Sequence, residues 1–60
     1  MLPIVRVDYI KAYYPASRQI ENFQMNVCVD KNGKEVVWHG DGYYFIDKDK
    51  TVSKRKSKAW

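Results

Sequence analysis

Cysteine and histidine each occur once in these 60 residues, as Cys28 and His39. One cysteine cannot close an intrachain disulfide, and one of each falls short of the four ligands of a structural zinc site. Cys28 therefore reads as a small half-buried hydrophobe. His39 has no carboxylate to orient it and no nucleophile to serve, so the chain reads as non-enzymatic, without metal or cofactor. Long apolar runs are missing too. MLPIVRV meets Arg6 and Asp8 before an h-region or the ~20 residues of a membrane span could be completed. The expectation is a cytoplasmic, intracellular protein with no membrane partner.

Glycine is scarce, with three residues, and proline scarcer, with two. What remains of both punctuates the chain. Pro15 ends a run that alternates as a strand, IVRVDYIKAYY, and PASRQIEN after it admits at most a short helix near 15–22 or a structured loop. Asn32-Gly33 and Asp41-Gly42 are hairpin signals between FQMNVCV, EVVWHG and YYFID. DKNGKE is not a calcium loop, because Gly33 stands fourth rather than sixth from Asp30 and the twelfth position is Asp41 rather than a glutamate. GDG at 40–42 leads into YYFI rather than a helix, which makes it a turn and not a phosphate cradle.

These signals predict an α+β or mostly β fold: a small antiparallel meander of three to four strands near 4–12, 23–30, 35–40 and 43–47. Residues 1–50 form the domain. Residues 51–60 form a basic segment, either a tail or a docked short element. Placing Asn32 and Gly33 at the centre of the first turn sets Val29 opposite Val36 and collects Phe23, Met25, Val27, Val29, Val36, Trp38, Tyr43 and Phe45 on one core face. A three-residue loop would set Val29 against Glu35 and pair Asp30 with Lys34. The opposite face holds Val37, His39, Tyr44 and Ile46 and is predicted to bind. A sheet apolar on both faces needs two covers, and a chain of this length buries only about 60% of its unfolded surface. Either a homodimer or an exposed binding face follows.

Charge is unevenly spread. Residues 1–47 hold five basic and six acidic side chains, whereas 48–60 hold six basic and one acidic. Lys48, Lys50, Lys54, Arg55, Lys56 and Lys58, with Trp60 to stack on bases, make DNA or RNA the first expected partner. The alternative is a protein partner, with the chain as a small inhibitor or adaptor of the sort mobile elements encode, using the aromatic sheet face or an edge strand. Val52 and Trp60 have no evident use in a solvated tail, so the basic segment is also a candidate to cover the sheet.

Overall fold

The computed structural model describes residues 2–60. Five strands follow one another in the chain, β1 (Ile4–Tyr14), β2 (Gln19–Val29), β3 (Glu35–His39), β4 (Gly42–Ile46) and β5 (Val52–Lys56). They pair in that same order as one antiparallel meander. Among the described residues no helix forms. Of the two expectations for 15–22, a short helix or a structured loop, the structure takes the second, a four-residue turn closed by the Arg18 amide donating to Tyr14 O at 2.8 Å. Two helical turns carrying only Ile20 inward would have little to bury and would be marginal alone. Residues 19–22 are instead extended and pair with β1, Ile20 opposite Tyr13 and Gln19 opposite Tyr14.

The β2–β3 turn decides which side chains share a face. It is the three-residue loop: the Asp30 amide donates to Lys34 O at 2.9 Å, the Gly33 amide to Asp30 O at 3.0 Å, and Gly33 has φ 77°. Val29 therefore lies opposite Glu35, Cys28 opposite Val36 and Val27 opposite Val37. This corrects the expected core face, because a one-residue change of register exchanges the faces of everything downstream. Val37, His39, Tyr44 and Ile46 lie with Val27, whereas Val36, Trp38, Tyr43 and Phe45 lie with Cys28. The cause is local. Asp30 Oδ1 accepts the amides of both Asn32 and Lys34 at 2.9 Å, which an aspartate can do only when the chain loops back over three residues.

DKDKT, residues 47–51, repeats that turn between β4 and β5. The Asp47 amide donates to Thr51 O at 2.8 Å and the Lys50 amide to Asp47 O at 3.0 Å, with Lys50 at φ 62° where the first loop has glycine. The β3–β4 turn centres on Gly40 and Asp41, one residue earlier than expected, with Gly40 at φ 68°. Positive φ at the first central position is the type II′ pattern. Here the face assignment within the hairpin survives, since the two registers differ by an even step.

The sheet curls until its ends touch. The Lys11 amide donates to Lys50 O at 2.8 Å, and Lys11 bridges Thr51 in parallel, giving a partly closed barrel. Its interior holds Ile10, Val27 and Val37, each fully buried, with Met25, Ile46 and Val52 packed against them. Cys28, Val36 and Tyr43 form a second cluster on the opposite face, joined by Leu2 and Phe45. The two covers are thus the curl itself on one face and the chain ends on the other. Burial raises the Cys28 thiol pKa, consistent with a packing role.

The C-terminal segment is the fifth strand and its continuation. After β5, Ser57 is 1% exposed and its hydroxyl donates to Asp30 Oδ2 at 2.8 Å. The Lys31 amide donates to Ala59 O at 2.7 Å. The Trp60 indole N–H donates to Ser57 O at 2.9 Å, and its ring meets Tyr43 and Trp38 edge-on at 5.2 and 6.0 Å. Asp30 is 5% exposed, and every bond it makes serves either its own turn or this docking. Burial pushes its carboxyl up, but the Lys34 amide, the Ser57 hydroxyl and the Asn32 amide outweigh burial and hold it below the usual carboxylate range.

Three outcomes follow. Ser57→Ala should cost about 1–3 kcal/mol in chemical denaturation, since it strands a buried acceptor. Arg18→Gly should raise stability by about 0.5–1 kcal/mol, because Arg18 occupies left-handed space at φ 56° where glycine bears no Cβ clash. A carboxylate with a depressed folded pKa contributes stability above its unfolded pKa and loses it as pH falls through the folded one. The thermal midpoint should therefore hold from pH 5 to 7 and drop below about pH 4, and Asp30→Asn should make the drop shallower.

Candidate nucleic-acid interface

β5 does not present its basic residues as one stripe. Between Tyr44, opposite Lys56, and Ile46, opposite Val52, the ladder shifts register, so Ser53 to Arg55 bulge. The Ser53 hydroxyl accepts the Arg55 amide at 3.1 Å within that bulge. Lys54 then borders a hollow with Tyr13, His39 and Tyr44, while Arg55 borders a different one with Lys48 and Lys50. Lys56 is held elsewhere. Its ammonium pairs with Asp41 at 3.0 Å and lies 5.7 Å from the Tyr44 ring centre.

The Arg55 hollow, of about 710 Å³, gathers cations from across the chain: Arg6 of β1, Lys34 of the first turn, Lys48 and Lys50 of the second, and Arg55. Glu35 and Asp47 line it too, with Phe45 and Ile46 as apolar floor. The two three-residue turns build this end of the barrel, which is why lysines sixteen residues apart, Lys34 and Lys50, face one space. Sequence reasoning counted Lys48, Lys50 and Arg55 but missed Arg6 and Lys34. The signal for Lys34 was the three-residue alternative for its loop; nothing in the sequence signalled Arg6.

Charge pairing leaves a clear imbalance. Six of the seven carboxylates accept a hydrogen bond from the protein: Asp8, Glu21, Asp30, Glu35, Asp41 and Asp49. Asp8 sits below its usual range because of the Tyr9 amide first, then Lys50 and Arg6, and Asp41 because of the Tyr44 hydroxyl and Lys56. Conversely, among the described residues only Arg6, Lys50 and Lys56 of the eleven cations lie within 4.0 Å of a carboxylate. Lys48, Lys54, Arg55 and Lys58 of the basic segment have none, and neither do Lys31 and Lys34.

Of the expected binding face, Val37 is buried, whereas His39, Tyr44 and Ile46 are half-buried, and His39 and Tyr44 line the Lys54 hollow. Val37 is fully buried and available to no partner. His39 lies between the rings of Tyr14 and Tyr44 at 5.9 and 6.1 Å, the Tyr44 hydroxyl donates to Asp41 at 2.7 Å, and Ile46 packs on the interior core. Exposed aromatic rings lie elsewhere: Tyr9 and Tyr13 on β1, 64% and 52% exposed, and Trp38 and Trp60, 53% and 50% exposed, with Trp38 set by the corrected register on the other face beside Tyr43 and Trp60 packed against both. Among the described residues no three His, Cys, Asp or Glu side chains converge as a metal site, and no helix is long and apolar enough to cross a membrane. No protein-family model, curated protein or solved structure matches the chain.

Proposed function

We propose that the protein is a non-enzymatic nucleic-acid-binding module whose phosphate-contacting surface is the hollow of Arg6, Lys34, Lys48, Lys50 and Arg55. The observation that carries this reading is the imbalance of partners: among the described residues six of the seven carboxylates are hydrogen-bonded, while most cations, Lys34, Lys48 and Arg55 of this hollow among them, have no carboxylate within 4.0 Å. Five cations against Glu35, Asp47 and the adjacent Asp8, which pairs with Arg6 and Lys50, leave a net positive field there, and displacement of phosphate counterions is what such a field does best. The apolar floor lets the lysine and arginine stems lie flat with their heads outward. Removing residues 51–60 is a poor test, because it takes β5 and the docked Ser57 with it. Charge reversal leaves the backbone intact.

A second reading, a protein-binding adaptor or a homodimer through β1, rests on the exposure of that strand: Val5, Val7 and Tyr9 are 50%, 54% and 64% exposed. An open edge can add a partner's strand. Against it, the Tyr9 amide is already taken by Asp8 Oδ1 at 2.8 Å, a carboxylate cover of the kind that blunts edges.

Anisotropy of a labelled oligonucleotide separates the two readings. Affinity should fall steeply between about 50 and 200 mM salt, and the Lys48→Glu, Arg55→Glu double variant should bind at least about tenfold more weakly, with a salt slope shallower by roughly one to two. No binding at the lower salt, or binding indifferent to both reversals, contradicts the proposal.

A further inference from the structure

Trp38 and Trp60 are the chain's two tryptophans, and both keep about half their surface in water although they touch each other. Their rings stand at 89° to one another with centres 6.0 Å apart, and Tyr43 meets them at 80° and 68°. Packing this close leaves no room for a cation between the rings, which excludes an aromatic cage. Each edge-to-face contact sets the edge of one ring on a face of its neighbour, and the half of each indole that stays in water is the surface left for a ligand. Trp60 is further anchored by its indole N–H on Ser57 O at 2.9 Å, so this surface is held rigid before any ligand arrives.

The two rings wall a hollow of about 600 Å³ whose polar lining is Gln24 and Asn26. Neither side-chain amide has a hydrogen-bond partner among the described residues, so each offers both a donor and an acceptor beside the aromatic planes. Lys58 precedes Trp60 by two residues and Lys31 is tied to the same segment by its amide on Ala59 O at 2.7 Å. Both are exposed and free of carboxylates. Phe45, which floors the cationic hollow, packs on the Cys28, Val36 and Tyr43 cluster beneath this one, so the two hollows adjoin.

We infer that Trp38 and Trp60 are a stacking platform for unpaired bases, with Gln24 and Asn26 meeting base edges and Lys31 and Lys58 the flanking phosphates. The ligand class is therefore single-stranded nucleic acid. This rests on the nucleic-acid reading and sharpens it, since duplex bases hide their π faces from a platform of this kind and single strands expose them.

Because both tryptophans belong to the platform, intrinsic fluorescence reports on it directly. The intact protein is titrated at low salt with a dodecamer of deoxythymidine, with a duplex of equal length, and with an abasic strand carrying the same phosphates. Single strand should bind at least about tenfold tighter than abasic strand and duplex and should quench the tryptophans. Trp60→Phe, which keeps an aromatic ring for packing, should lose part of that margin, and Gln24→Ala, an exposed change, should lower single-strand affinity without altering stability. Equal binding of all three ligands without quenching overturns the inference and leaves the electrostatic reading standing. No binding of any of them overturns both.

Discussion

The buried carboxylate of Asp30 is the interaction on which the rest of the molecule depends. Its Oδ1 gathers two amides of its own turn and its Oδ2 holds Ser57, so one side chain sets a register and docks a chain end. A sixty-residue chain without a disulfide has little margin, and a satisfied buried carboxylate costs less than the disorder it prevents. From that turn follows the exchange of sheet faces. With Val37 inside, the barrel interior is closed by Ile10, Val27 and Val37, and the opposite face is left to Val36, Tyr43 and the two tryptophans. From the Ser57 contact follows the position of Trp60, and with it the second cover of the sheet.

The same economy shapes the charges. Lysine-rich ends are usually solvated, but here the lysines are carried by a strand that completes the sheet. Its bulge sends neighbouring basic residues to different hollows, and among the described residues only Lys50 and Lys56 of the basic segment meet a carboxylate, Asp8 and Asp41. A basic surface and an aromatic surface then adjoin on a single small barrel. Phosphate attraction and base stacking require that pair of features side by side, and neither requires a pocket of enzyme size.

Much of this fold was legible in the sequence. Alternation and the hairpin signals located β3, β4 and the C-terminal end of β2 within one residue, and the expectation that Val52 and Trp60 belong to the fold follows from their being apolar in a charged run. The register was not legible, because Val36 and Val37 are equally apolar and so are Cys28 and Val29. Hydrophobic pattern cannot choose between faces that are both apolar, and the choice passed to the hydrogen bonds of Asp30. The extension of β2 back to Gln19 was hidden by PASR, whose left-handed residue is Arg18 and not a glycine. The β4–β5 turn was hidden likewise, with Lys50 at the left-handed position. The candidate site suffered most: Val37 was misplaced by the register, Arg6 and Lys34 join the basic segment only through the curl, and Trp38 reaches Trp60 only once both covers are formed.

The central claim is that the basic end of this chain is a part of the fold and not an arm attached to it. Hydrogen exchange at the Lys31 and Ser57 amides and at the Trp60 indole tests it most directly, since all three donate to carbonyls in the docked arrangement, to Ala59, Tyr43 and Ser57 respectively. The account predicts that the Ser57 amide exchanges with the core amides of β3 and β4, and that the other two are protected well beyond intrinsic rates in the free protein. Exchange of all three at the rate of an unstructured peptide, with β3 still protected, would contradict it.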